Sequence, residues 1–479
     1  MPPVTVTRRL AFAAPAFAAL AFVIAGGGAA PARAVARTQP NAPAYVPGEI
    51  LVGYAPRRLT DGHIAHTARQ TASSDAAATS QAIRLPAGKS IWPAIDRLRH
   101  QRGVLYAVPD YNAHEAGGWI PDDRGDTHRR QGWQQLQWNF LPGIGVNAPG
   151  AWAHMFGVRR PGGRGVTIAV LDTGVAYRDW QRFRESPDFT GTHFVDPYDF
   201  VAKNPYPLDR EGHGTFVAGM IAESTNNGIG LTGLAYGANI MPVRVLDQDG
   251  NGDSVTIAKG IRYAVTHGAQ VINLSLEFDI SVTASDIPDI ISAVAFAHRH
   301  GVVVVAAAGN DSQTRLAYPA AAPQVISVGA TTKDGCVAGY SNAGAKLDLV
   351  APGGGDDATL PGDPNCHPFS NLPAVHQMTF RDFNSIDPGA NATQFSLPGS
   401  YGTSMAAPAV SATAALIIAS RVLGPHPSPD QILTRLEQTA TPLGPTTPND
   451  DYGYGLVNAG AATARVPVTT PAPSTPATP

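Results

Sequence analysis

The sequence predicts an α/β fold in which a doubly wound parallel sheet carries helices on both faces. Several short runs between residues 166 and 350 are apolar at every position, as is typical of strands buried on both sides. Helical patterns, such as those over 254–267 and 288–300, separate these runs, and 50 glycines and 42 prolines supply turns. The predicted strands are 166–171, 240–245, 271–276, 302–308, 325–328 and 347–350.

A smaller α+β block is predicted ahead of this sheet, at 37–115. It contains strand patterns over 49–54 and 104–108 and a helical pattern over 91–102. The polar stretch 116–132 is typical of an exposed linker. We expect the main domain to span 133–465 and the Pro/Thr-rich residues 466–479 to form a flexible tail.

Residues 1–36 are predicted to be a secretory signal. Arg8 and Arg9 precede an uncharged run, and the small-residue pattern 34–36 follows it. The apolar centre of the run is 15 residues long, short of the roughly 20 that span a bilayer, although a membrane anchor is the alternative. We therefore expect a secreted or periplasmic protein that is not in the membrane once the signal is removed.

The composition excludes several classes of protein. The chain has 479 residues, 43% of them apolar, with a net charge of −3, so neither global disorder nor a nucleic-acid partner is indicated. Its two cysteines cannot form a multi-disulfide scaffold or a four-cysteine zinc site.

Three motifs carry the chemistry, and each places a reactive side chain among small residues. Asp172 ends an apolar strand, His213 lies between two glycines at the start of a helix, and Ser404 opens an alanine-rich helix. A serine nucleophile needs a base, and an imidazole held by a carboxylate is such a base. Each residue alone has a structural explanation, as a turn former, a structural histidine or a helix cap, so only their joint occurrence is informative.

In the order Asp, His, Ser, these motifs resemble those of the subtilisin-like serine proteases, over about residues 137–460. The resemblance implies that Asn310, in the motif 307–310, donates its side-chain N–H to an oxyanion together with the Ser404 backbone N–H. It also implies that the chemistry requires no cofactor.

The resemblance further implies a cleft that binds extended peptide along the strand containing Ser275 and Leu276. We expect these two residues, Glu277 and Gly309 to line it. The family usually has glycine where this chain has Glu277. This carboxylate either attracts a cationic substrate side chain or points into water and narrows the entrance.

Residues 37–115 resemble the family's propeptide, with matches at 45–52 and 104–111. The resemblance implies that this domain assists folding, inhibits the enzyme transiently and is removed by cleavage between Tyr111 and Gly132. Residues 1–132 carry a net charge of +6 and the remainder −9, which favours their association.

The loop 225–230 resembles the family's main calcium loop, and Gln137, Asp188 and Asn227 are the candidate ligands of a structural Ca²⁺. The alternative is an Asn-Gly turn without metal. Cys336 and Cys366 are expected to form a disulfide that restrains a Gly/Pro-rich insertion at 353–398, and two free thiols are the alternative.

The sequence therefore predicts a monomeric, secreted serine endopeptidase that acts on polypeptides. A serine esterase is the first alternative, but its Gly-x-Ser-x-Gly motif is absent because Ala406 stands at the second glycine position. The second alternative is a catalytically silent binding protein on the same fold, which would usually lack one of the four polar groups.

Overall fold

The computed structural model describes residues 45–54, 79–86, 90–111, 119–126, 131–383 and 392–465. The predicted signal, 1–36, and the predicted tail, 466–479, lie outside the described residues. The chain divides into two compact units, Met1–Ala113 and His114–Pro479.

The first unit is a small α+β structure. Its three strands form an antiparallel sheet in the order β2-β1-β3, and the apolar face of one helix packs on that sheet. Ile50, Val52 and Ala107 of the sheet and Ile95 of the helix are almost completely buried. The elements are β1 (Tyr45–Tyr54), β2 (Thr79–Arg84), α1 (Trp92–Arg99) and β3 (Val104–Tyr111).

The second unit is built on a parallel sheet of eight strands, which confirms the predicted fold class. The strand order is β11-β10-β9-β8-β4-β7-β5, and β6 also pairs with β7. The strands are β4 (Thr167–Asp172), β5 (His193–Phe194), β6 (Tyr198–Asp199), β7 (Asn239–Arg244), β8 (Val271–Leu274), β9 (Val303–Ala307), β10 (Ile326–Thr331) and β11 (Leu349–Pro352). Two short antiparallel pairs follow, formed by β12 (Val375–His376) with β15 (Gly399–Ser400) and by β13 (Thr379–Phe380) with β14 (Phe395–Ser396).

Helices cover both faces of this sheet. Successive side chains of each strand point to opposite faces, and both faces are apolar. Ile168 and Val170 of β4 belong to the core beneath α4 and α7, whereas Ala169 and Leu171 belong to the core beneath α5 and α6. The helices are α2 (Trp133–Leu136), α3 (Ala148–Gly157), α4 (His213–Ala222), α5 (Ser254–Thr266), α6 (Pro288–Arg299), α7 (Thr403–Ser420), α8 (Pro429–Thr439) and α9 (Ala459–Thr463).

Helix α7 runs through the centre of the second unit. Among the described residues it is the helix long and apolar enough to cross a membrane by length and composition, but 89% of it is buried inside the protein. A helix in the core of a protein can be equally long and apolar. The contacts of α7 with β8, β9, β10 and β11 identify it as such a core helix.

Part of the predicted linker is not an exposed connection. In the segment 119–126, which we call the strap, the ring of Trp119 packs against Trp152 and Tyr236. Gly125 exchanges backbone hydrogen bonds with Gly230, and Asp123 is buried. The polar composition of the strap indicated exposure, but these contacts make it part of the second unit.

A disulfide joins Cys336 to Cys366 near the start of the predicted insertion. Next to it, the hydroxyl of the buried Tyr452 donates a 2.7 Å hydrogen bond to Asp363. The disulfide and this hydrogen bond attach the first part of the insertion to the rest of the second unit.

Candidate active site

Asp172 and His213 meet at the carboxyl end of the central strand. β4 lies between β7 and β8, at the point where the order of the strands reverses, so its carboxyl end opens into a crevice. Asp172 is fully buried, and its Oδ1 accepts a 2.7 Å hydrogen bond from His213 Nδ1 and another from the Thr173 amide. The carboxylate therefore fixes the orientation of the imidazole.

The start of α4 is fastened by a second buried carboxylate, Asp209. Its Oδ1 accepts from the Glu211 and Gly212 amides and from the Thr173 hydroxyl, while its Oδ2 accepts from the Thr215 amide and hydroxyl. These bonds join the end of β4 to the first turn of α4. Asp209 belongs to none of the sequence motifs, and its local signal is a position shortly before a helix start.

Glycine is required beside His213 by close packing. A Cβ at Gly214 would collide with the carbonyl oxygen of Gly174, which follows β4. The helix that carries the imidazole can therefore approach the strand that carries the carboxylate.

The charge around His213 favours its protonated form. Burial lowers the pKa of the imidazole, but the carboxylates of Asp172, Glu211 and Asp209 act in the opposite direction and raise it above its ordinary value. Glu211 Oε2 accepts from the His213 amide at 2.6 Å, and burial raises the pKa of Glu211 to about 7.

Ser404 lies in the first turn of α7, across the cleft from α4. Ser404 Oγ donates a 3.2 Å hydrogen bond to the Ser275 carbonyl, and Ser275 Oγ donates to the Ser404 carbonyl. Among the described residues, no hydrogen bond joins Ser404 Oγ to His213, although both side chains line one cleft of about 400 Å³. Ser404 and His213 thus line one cavity, with the serine hydroxyl turned toward the Ser275 carbonyl just after β8.

Asn310 is oriented by the beginning of α7. Its Oδ1 accepts from both the amide and the hydroxyl of Thr403, at 2.8 and 3.0 Å. Because the oxygen takes these donors, Nδ2 must be the atom that faces the other way, where it donates to Glu277 Oε1 at 3.1 Å. The Asn310 backbone amide donates to Glu277 Oε2.

The expected cleft residues are placed as follows. Ser275, Leu276 and Glu277 line the cleft that holds His213 and Ser404. Gly309 is buried, immediately before Asn310, and its amide donates to the Thr403 hydroxyl. Glu211 also lines the cleft, and sequence reasoning did not single it out.

A second cluster consists of three buried carboxylates, Asp123, Asp188 and Glu223. Burial raises the pKa of Asp123 to about 6, that of Asp188 to about 8 and that of Glu223 well above its ordinary value. Among the described residues, no N–H or O–H group donates a hydrogen bond to either oxygen of Glu223, whose carboxyl lies beside that of Asp188. Within the described part of the chain, no lysine or arginine forms an ion pair with any of the three, so the cluster lacks a counter-charge.

The loop 225–230 wraps this cluster. The amides of Asn226 and Asn227 donate to Asp123, and Asn227 Nδ2 donates to Asp188 at 2.8 Å. A Cβ at Gly230, which has a φ of 57°, would overlap the carboxylate of Asp188. Asp188 and Asn227 are thus in contact, but through the side-chain nitrogen of Asn227, whose oxygen accepts from the Ile229 amide instead of facing the cluster.

Gln137 is placed differently from that expectation. Its Nε2 donates to the Thr232 carbonyl and to Gln377, and its Oε1 accepts from the Thr232 amide. Both ends of the Gln137 amide are thus hydrogen-bonded to the chain that follows the loop and to Gln377. The side chains near Asp188 are the carboxylates of Asp123 and Glu223, and not the amide of Gln137.

This fold and site define a subtilisin-like serine protease, and comparison with known proteins agrees. The model of the subtilase family matches residues 163–455, and a fervidolysin N-terminal prodomain model matches residues 31–110. The chain belongs to the subtilase family. It is a serine protease of that family with an N-terminal prodomain, and subtilases need no cofactor for catalysis.

Individual relatives are similar over about two thirds of the chain. Subtilisin BL from Lederbergia lenta is 37% identical over 301 residues, covering 63% of this chain and 91% of the relative. A thermophilic serine proteinase from Bacillus sp. (strain AK1) is 34% identical over 323 residues, covering 67% of this chain and 73% of the relative. A solved protease structure from Pseudoalteromonas arctica PAMC 21717 superposes with a TM-score of 0.55 at 30% identity, covering 68% of this chain and 96% of the other.

Proposed function

We propose that the protein is a secreted endopeptidase that hydrolyses polypeptides through Asp172, His213 and Ser404. The observation that carries the proposal is the imidazole of His213, held at 2.7 Å by a buried carboxylate in the cleft that also exposes Ser404. The mechanism requires the Ser404 hydroxyl to leave the Ser275 carbonyl and turn toward the imidazole.

Each residue has one role in this mechanism. Ser404 Oγ attacks the peptide carbonyl while His213 accepts its proton and then gives it to the leaving amine. Water hydrolyses the resulting acyl-enzyme with His213 again as the base. Asp172 holds the imidazole, and Asn310 Nδ2 with the Ser404 amide stabilises the oxyanion.

Labelling with a fluorophosphonate tests this function directly. The mature protein should form a covalent adduct at Ser404, identified by mass spectrometry, and should cleave a denatured protein at internal bonds. An adduct with turnover of ester substrates alone would identify an esterase, and the absence of any adduct in correctly processed protein would refute both enzyme functions.

We propose that the chain is made as a self-processing precursor. The charged start, apolar run and small-residue pattern of 1–36 support export, and the match of 31–110 to a prodomain model supports a transient inhibitor. Because the strap packs as part of the second unit, the maturation cut is expected upstream of Trp119.

We further propose that a structural Ca²⁺ binds among Asp123, Asp188 and Glu223, whose carboxylate oxygens would draw closer together around the ion. The unpartnered oxygens of Glu223 and the lack of a counter-charge support a divalent cation here, because Ca²⁺ prefers carboxylate oxygens. Bound Ca²⁺ would offset most of the negative charge of three buried carboxylates that otherwise repel one another.

Removing calcium is expected to lower the thermal stability of the mature protein. A cation at 100 times its dissociation constant adds about 2.7 kcal/mol to the free energy of unfolding. Differential scanning calorimetry with EDTA and with added Ca²⁺ should show this shift, and Glu223→Gln should reduce it. Glu437→Gln, outside the cluster, should keep the full shift. Equal unfolding temperatures with and without Ca²⁺ would contradict the proposal.

The pH dependence of activity should reflect the carboxylates around His213. Only neutral imidazole accepts the serine proton, so kcat/KM rises with pH through the pKa of His213. Because ionised Glu211 raises that pKa, Glu211→Gln should shift the acid limb to lower pH. The exposed Asp286→Asn removes a charge outside the cleft lining and should leave the limb in place. An unmoved limb in Glu211→Gln would count against this coupling.

A further inference from the structure

The Glu277 side chain holds the oxyanion donor in the free protein. Its two carboxylate oxygens accept from the side-chain and backbone nitrogens of Asn310, each at 3.1 Å. The other end of the Asn310 amide is fixed by Thr403. The same nitrogen that would stabilise an oxyanion is therefore already bonded to a negative charge.

A carboxylate at this place opposes the reaction of an uncharged substrate. The transition state develops negative charge on an oxygen that must approach Asn310 Nδ2, and ionised Glu277 repels that charge. Glu277 must either move away or be neutralised before Asn310 can act fully.

The surroundings of Glu277 favour a cation as the neutralising group. Glu211 and Asp279 line the same cleft, and no lysine or arginine is among its described lining residues. Burial raises the pKa of Glu277, donation from Asn310 opposes this shift, and the nearby charge of Asp311 adds to it. A positive side chain entering the cleft would relieve this accumulation of negative charge.

We propose that Glu277 is a specificity gate that keeps Asn310 occupied until a cationic substrate side chain, lysine or arginine at the residue supplying the scissile carbonyl, draws the carboxylate away. This inference rests on the proposed peptidase function and adds its substrate class. In the proposed mechanism Asn310 Nδ2 binds the oxygen of the attacked carbonyl, so the side chain of that substrate residue is the one expected beside Glu277.

The test compares two peptides that differ only in lysine or norleucine before the scissile bond, because norleucine has a similar length without the charge. The mature wild-type protein should favour lysine in kcat/KM. In Glu277→Gln the lysine-to-norleucine ratio should fall about fivefold, the scale of one charge interaction between exposed side chains. Part of the change should be a higher kcat for the norleucine peptide.

Two further variants make the result specific. Glu277→Gly, which installs the residue usual in the family, should change the ratio in the same direction. Asp286→Asn removes an exposed charge outside the cleft lining and should leave the ratio unchanged. An unchanged ratio in both Glu277 variants, or an equal loss on both peptides, would overturn the gate. Fluorophosphonate labelling of the same samples separates this outcome from a failure of the peptidase function, in which even wild-type protein forms no adduct.

Discussion

Ser404→Ala is expected to abolish peptide hydrolysis and to leave the chain as an uncut precursor. The change removes the side chain that attacks the peptide carbonyl in the proposed mechanism. The equivalent change in a subtilisin lowers kcat by about 10⁶-fold, and we expect a loss of that order. Peptide turnover by purified protein and the mass of the expressed chain measure both effects.

The fold should survive this substitution. Ser404 Oγ donates to the Ser275 carbonyl, while the bonds that anchor Asn310 to α7 involve Thr403. Circular dichroism should therefore match that of an active-site-intact precursor blocked by inhibitor. The exposed Ser292→Ala controls for the loss of a serine hydroxyl. Substantial hydrolysis by Ser404→Ala would show that another group is the nucleophile.

Asp172→Asn is expected to lower kcat by about 10⁴-fold, the loss measured for the same change in a chymotrypsin-like protease. Asp172 Oδ1 accepts from both His213 and the Thr173 amide. If the asparagine oxygen keeps the Thr173 bond, the imidazole loses its charged acceptor and the tautomer that the base requires. KM should change little because Asp172 is buried beneath His213.

The same variant has a second expected signature. The Asp172 charge raises the pKa of His213, so its removal should shift the acid limb of the residual activity to lower pH. Steady-state kinetics across pH measures both quantities, and thermal unfolding checks the fold. A loss of less than about 100-fold would contradict the role given to Asp172.

The sequence predicted those features that depend on local pattern. The strands of the parallel sheet are continuous apolar runs, and Asp172, His213 and Ser404 lie in short glycine- or alanine-rich motifs at strand and helix ends. Such motifs are visible because the backbone there must approach another element closely, as Gly214 approaches Gly174.

The features that the sequence did not reveal depend on contacts between distant segments. Asp123 lies in a stretch whose composition indicated a linker, yet it binds the amides of Asn226 and Asn227, 103 and 104 residues away. Glu223 gives no local signal because its significance comes from Asp188 and Asp123 beside it. The sequence showed Glu277 at the position where the family usually has glycine. Its hydrogen bonds to Asn310, 33 residues away, became visible only in the folded structure.

The position of the strap bears on whether cleavage of the proposed precursor changes the carboxylate cluster. It brings Asp123 to the loop 225–230 and is anchored by Trp119, a few residues nearer the prodomain. A cut before Trp119 therefore leaves every carboxylate of the cluster on the protease fragment. The proposed Ca²⁺ should therefore bind to the precursor already, and removal of the prodomain should leave its site unchanged.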